Sequence, residues 1–373
     1  ESLVQKRTAG MMQPQLAERI ARTTRKSFPD GIEAHGTDAL RFTFAALASP
    51  GRDINFDLGR IGGYRNFCNK LWNATRFVLM NVEEAPTEPQ QLSVTDRWIR
   101  SQLGTTIAAI DDHLTHYRMD LAAQAMYDFT WSTFCDWYLE LCKPALNAGG
   151  EAANAARHTL INVLEILLRV MHPLVPFITE ALWKQVAPLA GREGDTIMLA
   201  PWPAATDYPH DAEAKADAEW LQAVIGGLRQ LRSELGLAPG KKIPVDVYGA
   251  SKQTTKRLER HRDAIEFLVR TEALDRQEGS VPDATATAVV GEATYAVPLA
   301  GLIDVAAELA RLDKKIAQLE NECTRLSKKL GNEGFRTKAP AAVVAKEQEK
   351  LDRAESELAH YREQRQQMAA LEK

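Results

Sequence analysis

Residues 59–81 read GRIGGYRNFCNKLWNATRFVLMN. Wound at 3.6 residues per turn, the stretch divides into two faces. Ile61, Tyr64, Cys68, Leu71, Thr75, Val78 and Val82 recur every three or four residues and form an apolar side. Opposite them run Asn66, Lys70, Asn73 and Phe77, flanked by Arg65, Asn69 and Arg76. The pattern predicts a helix that buries one side against other helices. Amides and an ammonium hydrogen-bond base edges and phosphates, and an exposed ring stacks on a base. A plainer reading packs Phe77 on a neighbouring helix and leaves the rest as solvated surface. Taken alone, the stripe fits the plainer reading better.

The same period continues downstream. Ser93 or Thr95 caps a helix through Trp98, Leu103, Ile107, Ile110 and Leu114. Asp120 opens a third through Phe129, Phe134, Tyr138 and Leu141, and a fourth follows Gly149-Gly150 through Leu160, Leu164 and Val170. Pro173 and Pro176 interrupt it before a fifth, Phe177–Val186. Long helices with short polar links predict an antiparallel bundle over residues 57–190. Upstream, residues 1–56 read as a connector, with Arg19, Arg22 and Arg25 along one side of a short helix and Thr37 or Asp38 capping another through Leu40, Phe44 and Leu47. The arginine row suits phosphates, although a solvated basic face is the commoner meaning.

Residues 191–210, rich in Gly and Pro, read as a linker. Over 211–300 the pattern changes to a small α/β module, with helices near 212–235 and 254–269 and strands at 243–248, 286–290 and 294–297. Residues 301–373 carry two a/d seams. Leu302, Val305, Leu309, Leu312, Ile316, Leu319, Cys323, Leu326 and Leu330 form one, and Val344, Leu351, Ala354, Leu358, Tyr361 and Met368 the other. A break at Gly331-Asn332-Glu333-Gly334 makes them an antiparallel coiled-coil hairpin. From Arg325 to Lys338 its tip holds five cations (Arg325, Lys328, Lys329, Arg336, Lys338) against one acid, Glu333, with Phe335 among them. That composition suits a structured polyanion, and equally the solvated tip of a dimerisation coil.

The fold class is thus mainly α. At 373 residues there is room for two or three cores. A net charge of −4 excludes a globally basic nucleic-acid binder, so any RNA surface must be local. The cysteines Cys68, Cys135, Cys142 and Cys323 show no C-x-x-C spacing, which argues against a disulfide framework or structural zinc and fits a cytoplasmic location. Cys135 and Cys142 read as buried thiols. No apolar run is long enough for a membrane span and no signal peptide is visible. The chain enters in mid-pattern at Glu1, as a piece of a longer protein would. No P-loop or G-x-G-x-x-G loop occurs, and His113 and His116 beside Asp111 and Asp112 read as surface residues. With no catalytic grouping and no metal site to name, the residues describe a binding module.

The segment GIEAHGTDALRFTFAALASPGRDINFDLGRIGGYRNFCNKLWNATRFVLMN (31–81) resembles the junction of catalytic core and anticodon-binding bundle in class I aminoacyl-tRNA synthetases, the valine-specific branch most closely. WSTFCDWYLELCKPAL (131–146), LEILLRVMHPLVPFITEALW (164–183) and TIMLAPWP (196–203) are similar to bundle motifs of the family, and GNEGFRTKAPAAVVAKEQEKL (331–351) to the coiled-coil arm of valyl-tRNA synthetases. The family's HIGH and KMSKS signatures and its editing domain are absent. The resemblance implies a part that grips valine tRNA for an upstream catalytic domain, which uses ATP and Mg²⁺. It implies no cofactor here, no activity alone, and a monomer. Lys70 and Phe77 match an anticodon-contacting lysine and a stacking phenylalanine of the family; Asn66, Asn73, Arg65 and Arg76 join them from geometry. At the hairpin, Phe335, Arg336 and Lys338 match the family motif for the tRNA elbow, with Lys328 and Lys329 beside them, while Arg19, Arg22 and Arg25 would meet phosphates at the inner corner of the tRNA. Two alternatives remain: a coiled-coil scaffold for protein association, or the matching part of an isoleucyl- or leucyl-tRNA synthetase. The hairpin argues against the last.

Overall fold

A computed structural model describes residues 1–51, 56–282, 285–299, 305–332 and 341–370. Most of them are helical, and they fall into two compact units, Glu1–Ala218 and Glu219–Lys373.

In the first unit, α1 (Ser2–Thr8) packs on α2 (Ala17–Ser27), and α3 (Thr37–Leu47) leads into α4 (Leu58–Asn81). Next come α5 (Val94–Thr115), α6 (Met119–Asp128), a π-helical segment Phe129–Tyr138, α7 (Lys143–Ala148), α8 (Gly150–Met171) and α9 (Pro176–Val186). Ser93 does cap α5: its hydroxyl accepts from the Asp96 backbone N–H, and the Asp96 carboxylate accepts from Ser93 in return. That carboxylate is buried and also accepts from the Tyr138 hydroxyl at 2.5 Å, tying α5 to the π segment.

The cap expected at Thr37 or Asp38 is different. Gly36 occupies the cap position of α3, while the Asp38 carboxylate accepts from the backbone N–H groups of Phe177 and Ile178 at 3.2 and 2.7 Å. Asp38 therefore caps α9, whose own N-cap, Val175, offers no side-chain acceptor. The buried side of α3 also differs. Ala39, Phe42 and Thr43 are buried, and Leu40 and Phe44 are exposed.

Helix α8 is the centre of this unit and is buried on nearly all sides. It nevertheless carries an ion pair. Glu165 Oε2 accepts from Arg169 Nη2 at 2.8 Å, and Glu165 Oε1 accepts from Trp183 Nε1 at 2.8 Å. Arg169 Nη1 donates to the carbonyl of Pro201 at 2.6 Å. The 191–210 stretch, expected as a linker, is thus fastened to the bundle. Thr196 bonds Glu180 and the Trp202 indole N–H donates to Asp111. Gly104 on α5 lies so close to this stretch that an added Cβ would meet the Tyr208 carbonyl at 2.1 Å.

Helix α10 (Ala212–Glu234) begins at the end of the first unit and continues in the second. There β1 (Ile243–Tyr248), α11 (Lys252–Val269), β2 (Thr271–Arg276), β3 (Thr285–Val290) and β4 (Ala293–Pro298) form a sheet of order β2-β1-β4-β3. β1 and β2 run parallel, joined through α11, while β4 pairs antiparallel with both β1 and β3. Strand β2 escapes the pattern reading because TEALDR has a single β-branched residue. Its partner β1 makes it a strand, and Arg270 at φ 61 turns the chain into it directly from α11.

Helices α12 (Val305–Gly331) and α13 (Ala341–Ala370) are the two arms of the hairpin. Leu312, Ile316, Leu319, Leu326, Leu351, Ala354 and Leu358 are buried along the expected seams. Leu302 and the side chains of Val305 and Met368 lie outside the described residues. The pairs Arg365–Asp313, Arg362–Glu320 and Lys329–Glu347 step along the arms in opposite directions, as antiparallel pairing requires. Glu347 accepts from Lys350 and Lys329, each at 2.9 Å, which lowers its carboxyl from an ordinary 4.5 to about 2. A carboxylate with a depressed pKa stabilises above its unfolded value and loses that contribution as pH falls towards its folded one. Hydrogen-exchange protection of the hairpin amides should fall between pH 4.5 and about 2, and less so in Glu347→Gln. Identical pH profiles for the two proteins would remove Glu347 from the hairpin's stability.

Candidate nucleic-acid interface

Helix α4 starts where the Asp57 carboxylate accepts from the Gly59 N–H at 2.8 Å. Its buried arc holds Ile61, Leu71, Thr75, Val78 and, just past its end, Val82, as the period predicts. Phe67 and Ala74 are buried as well. They widen the arc towards the amide stripe, so Lys70 and Phe77 fall at its margin and are partly buried. Asn66, Asn69, Asn73, Arg76 and Met80 form the fully exposed row. Arg65 is turned towards Glu33 at 3.1 Å.

Lys70 is held by the π segment. Its ammonium lies 3.9 Å from the centroid of the Trp131 ring and contacts the Asp136 carboxylate. Trp131 in turn stacks on Tyr127, centroids 5.6 Å apart and planes 11° from parallel. Tyr127 meets Phe67 at 4.9 Å and the edge of Tyr64 at 6.2 Å. An aromatic ladder therefore runs from the core to the edge of the exposed row. At its start, Arg60, Gly63, Tyr64, Gln124 and Tyr127 line a depression of about 270 Å³. Further along α4, the Lys143 ammonium stands 5.6 Å from the Phe77 ring centroid.

The π geometry decides which side chains gather here. In an α-helix, residues five apart point about 140° apart. In a π-helix the N–H of one bonds the C=O five before it, so Trp131 and Asp136 share a side. Tyr64, Tyr127, Trp131 and Asp136 carry no role in the sequence reading for this reason. The only local signal was the density of aromatic residues in FTWSTFCDWY.

The other candidate residues are placed less tightly. Arg19, Arg22 and Arg25 are all exposed on α2. Arg22 reaches Glu18 at 3.4 Å and Arg25 makes a two-pronged contact with Glu1 at 2.8 and 2.9 Å. Lys328 is exposed near the hairpin's end, whereas Lys329 is committed to Glu347. Phe335, Arg336 and Lys338 lie outside the described residues. Burial pushes the Cys68 thiol up to about 11 and the Cys135 thiol up to about 12, and raises Cys142 too. Thiols so shifted hold their protons and are poor nucleophiles. His116 bonds the Asp112 carbonyl, and His113 lies 3.7 Å from the Asp112 carboxylate. No group of three or more metal-ligating side chains occurs among the described residues. No described helix is long and apolar enough to cross a membrane.

Residues 96–247 match the family described as the anticodon-binding domain of tRNA ligase, and residues 304–369 match the valyl tRNA synthetase tRNA binding arm. Curated relatives agree along the whole length. The chain is 51% identical to a valine–tRNA ligase of Xanthomonas campestris pv. campestris (strain 8004) over 371 residues, 98% of this chain and 39% of that protein. It is 50% identical over the same share to a valine–tRNA ligase of Stenotrophomonas maltophilia (strain K279a). Among solved structures, the leucyl enzyme in a ternary complex, Agrobacterium radiobacter K84 agnB2 LeuRS-tRNA-LeuAMS, aligns at a TM-score of 0.35 and 19% identity. It covers 50% of this chain and 21% of that one, a likeness too loose to carry an argument. The resemblance to valyl-tRNA synthetases thus extends over 98% of the chain, which spans about two-fifths of the length of the relatives it matches.

Proposed function

We propose that this chain is the C-terminal, tRNA-binding part of a valine–tRNA ligase, holding valine tRNA at its anticodon and its elbow. The observation that carries the proposal is the edge of α4, where Lys70 sits on Trp131 beside a row of exposed amides, next to the matched anticodon-binding region. Aromatic faces and amides at the margin of a groove suit unpaired bases, which stack and hydrogen-bond along their edges. Lys70 and Phe77 make the principal contacts, Asn66 and Asn73 reach base edges, and Arg65 and Arg76 meet phosphate. The hairpin, through Phe335, Arg336, Lys338, Lys328 and Lys329, grips the elbow. Arg19, Arg22 and Arg25 face phosphates at the inner corner.

In this reading the five sequence segments divide the labour: a stem-contacting connector (1–56), an anticodon bundle (57–190), a link (191–210), a spacer module (211–300) and an elbow arm (301–373). The joining of valine to tRNA, with ATP and Mg²⁺, belongs to a catalytic domain upstream in the same protein. This part supplies no catalytic residue, is inactive alone, and works as a cytoplasmic monomer. Affinity for valine tRNA should exceed that for generic duplex RNA and fall with salt, by about one log unit per log unit of salt for each phosphate neutralised. Phe77→Ala should weaken binding by about 1–3 kcal/mol if the ring stacks on a base. Salt-independent association, or equal affinity for any duplex, would instead favour the protein-scaffold reading.

A further inference from the structure

We infer that the Lys70–Asp136 pair is a base reader that selects adenine or cytosine over guanine or uracil. The inference rests on the tRNA reading and adds a specificity rule to it. Asp136 contacts the Lys70 ammonium through Oδ1, and its Oδ2 accepts no hydrogen bond among the described residues. Its side chain is about half exposed, at 49%, while that of Lys70 is at 24%. The ammonium lies on the Trp131 face and keeps further N–H donors. A lysine neutralised by a carboxylate is a poor phosphate clamp, since the pair has no net charge and Asp136 repels an anion. What the pair does present is one acceptor and one donor side by side.

That arrangement complements one class of base edge. Adenine and cytosine each show an exocyclic amino donor next to a ring-nitrogen acceptor on the Watson–Crick edge. Asp136 accepts from the amino group while Lys70 donates to the ring nitrogen. Guanine and uracil show the reverse, a carbonyl acceptor next to a ring N–H. Their carbonyl would face the carboxylate and their N–H the ammonium, leaving two groups unpaired and two like dipoles opposed. Trp131 keeps the pair at the margin of the amide row, within α4's exposed edge.

The test uses valine tRNA transcripts in which each anticodon position carries each of the four bases in turn. Binding is measured with the wild-type chain and with Asp136→Asn. For wild type, one anticodon position should prefer A and C over G and U by about tenfold or more, the size of one well-made two-bond contact. Asparagine both donates and accepts, so Asp136→Asn should bind the four bases at that position within a few-fold of one another. Salt-sensitive tRNA affinity with no such preference at any position would overturn the inference alone, and this arm needs no variant to fold. An Asp136→Asn protein with a native circular dichroism spectrum and undiminished preference would overturn it too. Absence of tRNA affinity above generic duplex in the wild type would defeat the tRNA reading, and the inference with it.

Discussion

Glu165→Ala lowers the stability of the first unit by about 3–5 kcal/mol, the usual result of removing one partner of a buried ion pair. Glu165 and Arg169 are both buried, so solvent cannot take over the lost contacts. The change strands the Arg169 guanidinium, whose remaining strong bond is to the Pro201 carbonyl, and leaves the Trp183 indole N–H without its acceptor. For a unit of this size, about 2–4 °C of unfolding temperature is lost per kcal/mol, a fall of roughly 10 °C in all. Calorimetry reads it directly. Glu165→Gln, which keeps an acceptor for Trp183 but not the charge, should fall between the two. The double change Glu165→Leu with Arg169→Met should recover most of the loss, because replacing both charges by apolar groups leaves nothing unpaired. A single mutant that melts within a degree or two of wild type would show that the pair is not an anchor of the bundle.

Phe67→Ala has an effect of similar size, about 3–5 kcal/mol for a buried phenylalanine. Phe67 has no exposed surface, and its ring meets Phe42 at 5.1 Å and Tyr127 at 4.9 Å. Its consequence extends to binding. Tyr127 supports Trp131, and Trp131 supports Lys70, so the vacated space lets the ladder move away from α4. Affinity for valine tRNA should therefore fall under conditions where the protein remains folded, together with a change in tryptophan fluorescence. Phe67→Leu refills most of the space and should lose far less of both. If urea unfolding shows the loss of stability but tRNA affinity is unchanged, the ladder does not position Lys70 for RNA.

The two helical seams of the hairpin were fully legible in the chain, because a heptad names its own partner through local spacing alone. The apolar face of α4 was legible for the same reason. What local spacing does not report is how wide the buried arc will be. Phe67 and Ala74 lie off the strict three-and-four row, and the neighbours Phe42 and Tyr127 bring Phe67 inside. That widening moved Lys70 and Phe77 from an open face to the edge of a groove. Asp38 shows a similar limit. Sequence rules place its carboxylate at the start of its own helix, yet it caps a helix 139 residues away because folding sets that bare N-terminus beside it. Strand β2 became a strand through pairing with β1, which no property of TEALDR announces.

By itself, the sequence determined a helical bundle, a small α/β module and a coiled-coil arm, since each follows from periodicities of 3.6, 2 and 3.5 residues. It also picked out Lys70 and Phe77 as the residues on which an RNA reading would turn. Only the tertiary structure decided what those residues face. A π-helical stretch changes the angular step between side chains, and that change sets Trp131 and Asp136 together against Lys70. The α-helical period read from the chain places the two residues apart. Their meeting depends on hydrogen-bond spacing and on packing against α4, both of which exist only once the helices have come together.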